Sequence, residues 1–89
     1  MSRVFGRNLQ NYALKISSDY NVDMKYAERI RELRIEKKIN RETLAKVIGV
    51  SERAIAFWET GVNEPKASYI IKLAEYFGVT AGYILGVEE

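Results

Sequence analysis

Two short segments with helical apolar spacing, residues 41–48 and 52–60, are separated only by the tripeptide Gly-Val-Ser at 49–51. Asn40 and Ser51 come just before the two segments, and both are residue types that cap helix N-termini well. The glycine of the tripeptide stands where a helix C-terminus favours a residue that tolerates positive φ. The pattern therefore predicts two helices joined by a very tight turn.

Helices joined this closely must cross steeply, and the crossing makes four demands on the sequence. It needs a small residue where the helices touch, a glycine in the turn, an apolar plug in the turn and an apolar anchor on the second helix. Ala45, Gly49, Val50 and Ile55 meet these demands in that order. The spacing favours a helix-turn-helix, although it also suits an ordinary helical hairpin.

Helical spacing recurs on both sides of this pair. It predicts a separate amphipathic helix at 5–16, a helix that begins at the N-cap Asp23 and whose apolar stripe has Ile39 at its end, and a helix at 67–77. A last short helix is predicted to be capped by Thr80 and to bear Tyr83, Ile84 and Leu85. No stretch shows a sustained alternation of apolar and polar residues, so no strand is predicted. The expected fold class is all-α.

Composition excludes several kinds of chemistry. The chain has 89 residues, which suits one domain, and it contains neither Cys nor His. Disulfides and thiolate metal sites are thereby excluded, and the commonest general base and metal ligand are missing. We therefore expect no enzyme activity, no cofactor or metal and no small-molecule ligand. No apolar run approaches the roughly 20 residues that span a bilayer, and the N-terminus lacks a signal-peptide core, so a cytoplasmic location is expected.

A longer set of residues, spread in order along the chain, resembles one family of DNA-binding domains. The set is Ile30-Arg31-Glu32-Leu33-Arg34, Leu44-Ala45, Ile48-Gly49-Val50-Ser51, Ile55, Trp58-Glu59-Thr60-Gly61, Pro65 and Leu73-Ala74-Glu75-Tyr76-Phe77-Gly78-Val79. It resembles the lambda-repressor-like Cro/cI (xenobiotic response element) family of helix-turn-helix domains. The resemblance covers roughly residues 26–86 and implies a five-helix bundle, so the DNA-binding domain is expected at 23–86. Residues 1–22 match nothing in the family, and their apolar spacing predicts an additional N-terminal helical extension.

The resemblance also implies a function. The family's second helix, here 41–48, lies across the DNA backbone, and its recognition helix, here 52–60, enters the major groove. We therefore expect a sequence-specific transcriptional regulator that binds a palindromic operator on double-stranded DNA as a homodimer. A repressor of phage, mobile-element or toxin–antitoxin type fits best.

The base-reading positions of the family fall at the start and on the outer face of the recognition helix. They are Ser51, Glu52, Arg53, Ala56 and Phe57. Arg53 can grip a guanine bidentately, and Ala56 or Phe57 can meet a thymine methyl group. Glu52 can accept a hydrogen bond from a cytosine amino group, although it serves equally well as a favourable charge at a helix N-terminus.

Phosphate contacts must come from a local surface, because the net charge is only +2. The family's phosphate-binding positions lie at the start of the second helix and after the recognition helix. The candidates are Asn40, Arg41, Lys46, Thr60, Asn63 and Lys66. The family often has Gln where this chain has Arg41, while Lys46 and Lys66 suit a solvated surface equally well.

The resemblance also pairs Arg34 with Glu59 in a partly buried, structural ion pair.

Two questions stay open at the level of sequence. Glu52 and Phe57 stand where Arg, Lys or Gln would be expected, so a protein-interaction module of antirepressor or antitoxin type is an alternative on the same fold. The dimer surface is also open. The helix at 5–16 either covers the bundle or pairs with another subunit, and the C-terminal group of Tyr76, Tyr83, Ile84 and Leu85 is a second candidate interface.

Overall fold

The computed structural model describes residues 25–88, and it folds them into helices and the turns between them. The helices are α1 (Lys25–Glu36), α2 (Arg41–Ile48), α3 (Glu52–Thr60), α4 (Ala67–Phe77) and α5 (Ala81–Leu85). No residue between 25 and 88 lies in a strand, so the all-α prediction is confirmed for this part of the chain. The predicted helix at 5–16, the N-cap Asp23 and the extension 1–22 lie outside the described residues.

The ends of α2 and α3 confirm the capping predictions. Asn40 Oδ1 accepts a hydrogen bond from the backbone N–H of Thr43 at 2.8 Å, and Ser51 Oγ accepts one from that of Ala54 at 3.0 Å. Between the helices, Gly49 adopts a φ of +89°, in the left-handed region that residues with a Cβ avoid. Asn40 thus starts α2, while Gly49 ends it and Ser51 starts α3 within three residues.

The core lies where all five helices meet. Each helix contributes at least one fully buried side chain, and the set is Ile30, Leu44, Ile48, Ile55, Leu73 and Ile84. Helix α1 packs against α3 and α5, α2 packs against α3 and α4, and α4 packs against α5. Burying such a side chain stabilises a fold by about 1.5–3 kcal/mol. The crossing of α2 and α3 is therefore held by the whole core. None of these helices is long and apolar enough to cross a membrane.

Helix α1 ends earlier than the apolar pattern indicates. The pattern continues to Ile39, whereas the helix stops at Glu36 and Lys38 adopts a φ of +62°. A lysine in the left-handed region gives no sequence signal comparable to a glycine. The Ile39 carbonyl instead accepts a hydrogen bond from Arg34 Nη1 at 3.0 Å.

The C-terminal candidate interface is smaller than predicted, because its members differ in burial. Ile84 is fully buried in the core, Leu85 is exposed, and Tyr76 and Tyr83 are half-buried. Arg29 lies beside this region, where its guanidinium carbon is 4.2 Å from the centroid of the Tyr83 ring. Ile84 is thus unavailable to a partner, and α1 covers part of the remaining surface.

Candidate nucleic-acid interface

Helix α3 has one buried face and one open end. Ile55, Trp58 and Glu59 are buried against the rest of the bundle. The first turn is different, because residues 52–53 and the N-cap Ser51 are exposed. A helix turns by about 100° per residue, so anchoring the inner residues fixes the directions of the outer ones. The start of α3 is therefore a rigid, accessible edge.

Ala56 and Phe57, which also belong to the predicted base-reading set, are half-buried. The guanidinium carbon of Arg53 lies 5.9 Å from the centroid of the Phe57 ring, one helical turn further on. That distance is at the outer limit of a cation–π contact. Phe57 therefore lies beside the Arg53 guanidinium on the outer surface of α3.

Glu59 and Arg34, paired by the sequence resemblance, lie together below this surface. Arg34 Nε donates to Glu59 Oε2 at 2.7 Å, and Arg34 Nη2 donates to Oε1 at 3.0 Å. The hydrogen bond with Glu59 raises the pKa of Arg34 above its ordinary value, although burial acts in the opposite direction. This bidentate contact ties the last turn of α3 to α1.

The Glu59 carboxylate also binds Arg41, a contact that no sequence pattern predicts. Arg41 Nε donates to Glu59 Oε1 at 3.0 Å and so joins the first residue of α2 to the last turn of α3. The Arg41 side chain is 37% exposed, whereas the Glu59 side chain is fully buried. Arg41, which is predicted to bind phosphate, is thus joined to the buried ion pair at the C-terminal end of α3.

The other predicted phosphate ligands on the helices differ in how they are held. Asn40 uses its side-chain oxygen as the cap of α2, while Thr60 Oγ1 donates to the Ala56 carbonyl at 2.9 Å. Lys46 lies one and a half turns along α2 from Arg41. Its Nζ is 3.9 Å from Glu42 Oε2 in an exposed pair, which contributes little to stability.

Asn63 and Lys66 lie in the loop between α3 and α4, and both are exposed. The loop is attached to α1, because the Tyr26 hydroxyl donates to the Asn63 carbonyl at 3.2 Å. Burial, and secondarily the charge of Glu64, raise the pKa of Tyr26 above its ordinary value. Like the Arg41 contact, this bond joins residues far apart in sequence, and no local pattern announces it. Residues 25–88 contain no cluster of side chains suited to a metal ion.

Comparison with known proteins agrees with this geometry. A helix-turn-helix family model matches residues 30–84. The chain is 33% identical over 64 residues to the cryptic phage CTXphi transcriptional repressor RstR of Vibrio cholerae, covering 72% of this chain and 58% of that protein. It is 33% identical over 66 residues to the transcriptional activator BcrR of Enterococcus faecalis, covering 74% of this chain and 32% of that protein.

A solved structure is also similar. It is the P22 c2 repressor in complex with a synthetic operator, with a TM-score of 0.67 and 33% identity over 71% of this chain and 96% of that one. The fold and the turn between α2 and α3 define a helix-turn-helix protein. The chain belongs to the lambda-repressor-like helix-turn-helix family. It spans 58% or less of the length of the two named regulators.

Proposed function

We propose that this chain is a sequence-specific DNA-binding regulator of transcription that inserts α3 into the major groove. The observation that carries the proposal is the open first turn of α3 on a fully packed scaffold. Ile55 and Trp58 fix the helix from below, while Arg53 is exposed at its accessible end. The similarity to a repressor solved with its operator supports the same use of this edge.

In this proposal the exposed first turn reads bases. Arg53 is the principal reader, because a guanidinium matches the two acceptors of guanine in the major groove. Ser51 and Glu52 act beside it, and Ala56 and Phe57 offer apolar contact to a thymine methyl group. Ala56 and Phe57 are half-buried, which supports a role in which they extend less far into the groove than the exposed Arg53.

The phosphates on either side are bound by the start of α2 and by the loop after α3. Asn40 and Arg41 form the first contact, together with backbone N–H groups at the helix N-terminus. Thr60, Asn63 and Lys66 form the second contact, and Lys46 adds a weaker charge. The exposure of Asn63 and Lys66 supports this role.

We further propose that this regulator is a repressor of phage, mobile-element or toxin–antitoxin type. It works in the cytoplasm, without enzyme activity, as a homodimer on a palindromic operator. The DNA-binding unit in this proposal is 23–86. The phage repressors among the similar proteins support this direction of control, although one relative is an activator.

The alternative is a protein-interaction module. The observation in its favour is the acidic Glu52 beside the half-buried Phe57, which leaves Arg53 as the lone cation of α3. Selection of bound duplexes from a random DNA pool separates the two functions. The regulator enriches a palindrome with half-sites about one helical turn apart, whereas the interaction module enriches no sequence.

A further inference from the structure

The buried carboxylate of Glu59 is shared by two arginines that the chain supplies from different helices. Oε2 accepts from Arg34 Nε, while Oε1 accepts from both Arg34 Nη2 and Arg41 Nε. The Glu59 side chain has no exposed surface. Two guanidinium groups and one carboxylate leave this group of three side chains with one surplus positive charge.

The two arginines differ in what remains of their bonding capacity. All three nitrogens of Arg34 have protein acceptors, because its Nη1 donates to the Ile39 carbonyl at 3.0 Å, and its side chain is only 13% exposed. Arg41 is 37% exposed, and within residues 25–88 its hydrogen bond to a side chain uses Nε. The unused donors of the group therefore lie on Arg41, whose two terminal nitrogens still carry four N–H donors.

We propose that Glu59 is a positioning residue for DNA binding, which holds Arg41 so that its terminal nitrogens face a backbone phosphate. The inference rests on the proposed function. A guanidinium is a planar fork whose Nε and Nη groups can serve two anions at once, whereas a lysine ammonium is a single point charge. The ion pair that fixes α3 to α1 thereby also orients a phosphate ligand at the start of α2.

Orientation before binding has a measurable consequence. A free arginine side chain loses conformational freedom when it is fixed on a phosphate, and this loss weakens association. Arg41 is already held at Nε, so less freedom is lost when DNA arrives. The contact also holds Arg41 beside the C-terminal end of α3. The length of α3 then fixes the distance between Arg41 and the base-reading first turn of the same helix.

The test is the binding of the full chain to a random-sequence duplex of about two helical turns. Fluorescence anisotropy is measured between about 50 and about 200 mM salt, and the slope of log K against log salt counts phosphate contacts. We expect Arg41→Gln to reduce the slope by about one. Arg41→Lys should keep the slope but bind about twofold to tenfold more weakly. Arg31→Gln removes an exposed charge on α1 and should leave the slope unchanged.

NMR of the Arg41 Nε–Hε group tests the positioning without a mutation. We expect this proton to exchange slowly with water in the free protein and to keep its resonance position when the duplex is added, while the Nη protons shift. In Glu59→Gln the neutral amide oxygen is a weaker acceptor than the carboxylate, so the proton should exchange faster than in the wild type and DNA affinity should fall toward the level of Arg41→Lys. If that variant does not fold, the Arg41 variants and the wild-type spectrum still decide.

The possible failures are distinguishable. Wild-type affinity in Arg41→Lys, or a fast-exchanging Nε proton in the free protein, overturns the positioning role of Glu59 and leaves the proposed function intact. An unchanged salt slope in Arg41→Gln also overturns it, because Arg41 then contacts no phosphate. The absence of any salt-dependent binding by the wild-type chain contradicts the proposed function itself.

Discussion

The inner and outer faces of α3 are built from different kinds of side chain. Ile55, Trp58 and Glu59 pack against the other helices. Glu52 and Arg53 are exposed to solvent, and Arg53 lies near Phe57 of the same helix. The inner face is constrained by shape and by buried charge, and the outer face is constrained by neither. Outer-face substitutions should therefore weaken DNA binding and leave stability unchanged, whereas inner-face substitutions should lower stability. Glu59 should affect both properties, because it also holds Arg41.

Glu59→Ala should have the largest effect on stability. It leaves Arg34 and Arg41 without their carboxylate, and removing one partner of a buried ion pair costs about 3–5 kcal/mol. Urea unfolding followed by circular dichroism measures the change. Glu52→Ala removes an exposed carboxylate from the same helix and should stay within about 0.5 kcal/mol of wild type, apart from its N-terminal charge effect. Equal losses in the two variants would contradict the contrast between the faces.

Ile55→Ala should come next on the inner face. The side chain is fully buried, so its truncation removes apolar contacts and leaves a cavity, at about 2–5 kcal/mol. Val62→Ala, in the exposed loop just after α3, is the matched control and should change unfolding by less than about 0.5 kcal/mol. An Ile55 variant as stable as the Val62 variant would show that α3 is not anchored as described.

Arg53→Ala should give the opposite pattern on the outer face. We expect the loss of about 1–3 kcal/mol of binding energy and of discrimination at one base pair, because a guanidinium contact to guanine is removed. Thermal unfolding should be unchanged, since the side chain is exposed. Anisotropy titrations on selected and single-base-variant duplexes provide the measurement. A uniform loss across all sequences would reassign Arg53 to the phosphates.

Gly49→Ala tests the turn that joins α2 to α3. A Cβ at this position meets no atom within 4 Å, so only the φ of +89° opposes it. The expected loss of stability is about 1–2 kcal/mol, from backbone strain alone. Calorimetry provides the value, and an unchanged melting temperature would place the residue outside the left-handed region.

Tyr26→Phe should have the smallest effect, and that effect should depend on pH. Burial, followed by the charge of Glu64, raises the pKa of Tyr26 in the folded state above the value of about 10 in the unfolded chain. The folded state thus binds the phenolic proton more tightly. The resulting stability is complete below about pH 10 and is lost as pH rises through the folded pKa. The urea midpoint of wild type should therefore fall more steeply above about pH 10 than that of Tyr26→Phe.

Local rules account for much of the fold. The bounds of α2, α3 and α4 agree with 41–48, 52–60 and 67–77, because apolar spacing, caps and glycines all act within a few residues. The cap Thr80 is likewise confirmed by the hydrogen bond that its Oγ1 accepts from the Tyr83 backbone N–H at 2.9 Å. The early end of α1 was not predicted, because Lys38 adopts a left-handed backbone conformation that is uncommon for lysine.

The site was less accessible to sequence reasoning. Periodicity separates inward from outward positions, but it does not tell how far a long side chain reaches across a helix crossing. Arg41 reaches Glu59 over 18 positions and Tyr26 reaches Asn63 over 37, and both contacts depend on how whole helices pack. The base-reading roles of residues 51–53 stay predictions, since exposure shows availability and not use.

In the proposed function the starts of α2 and α3 contact the DNA. An NMR titration of backbone amides with a duplex of about two helical turns locates the contact surface. We expect the largest shifts at Arg41 and Glu42 and at 51–53, with little change on the exposed surface of α4 and α5 around Ile71 and Leu85. Largest shifts around Ile71 and Leu85, with 51–53 unmoved, would contradict this contact surface.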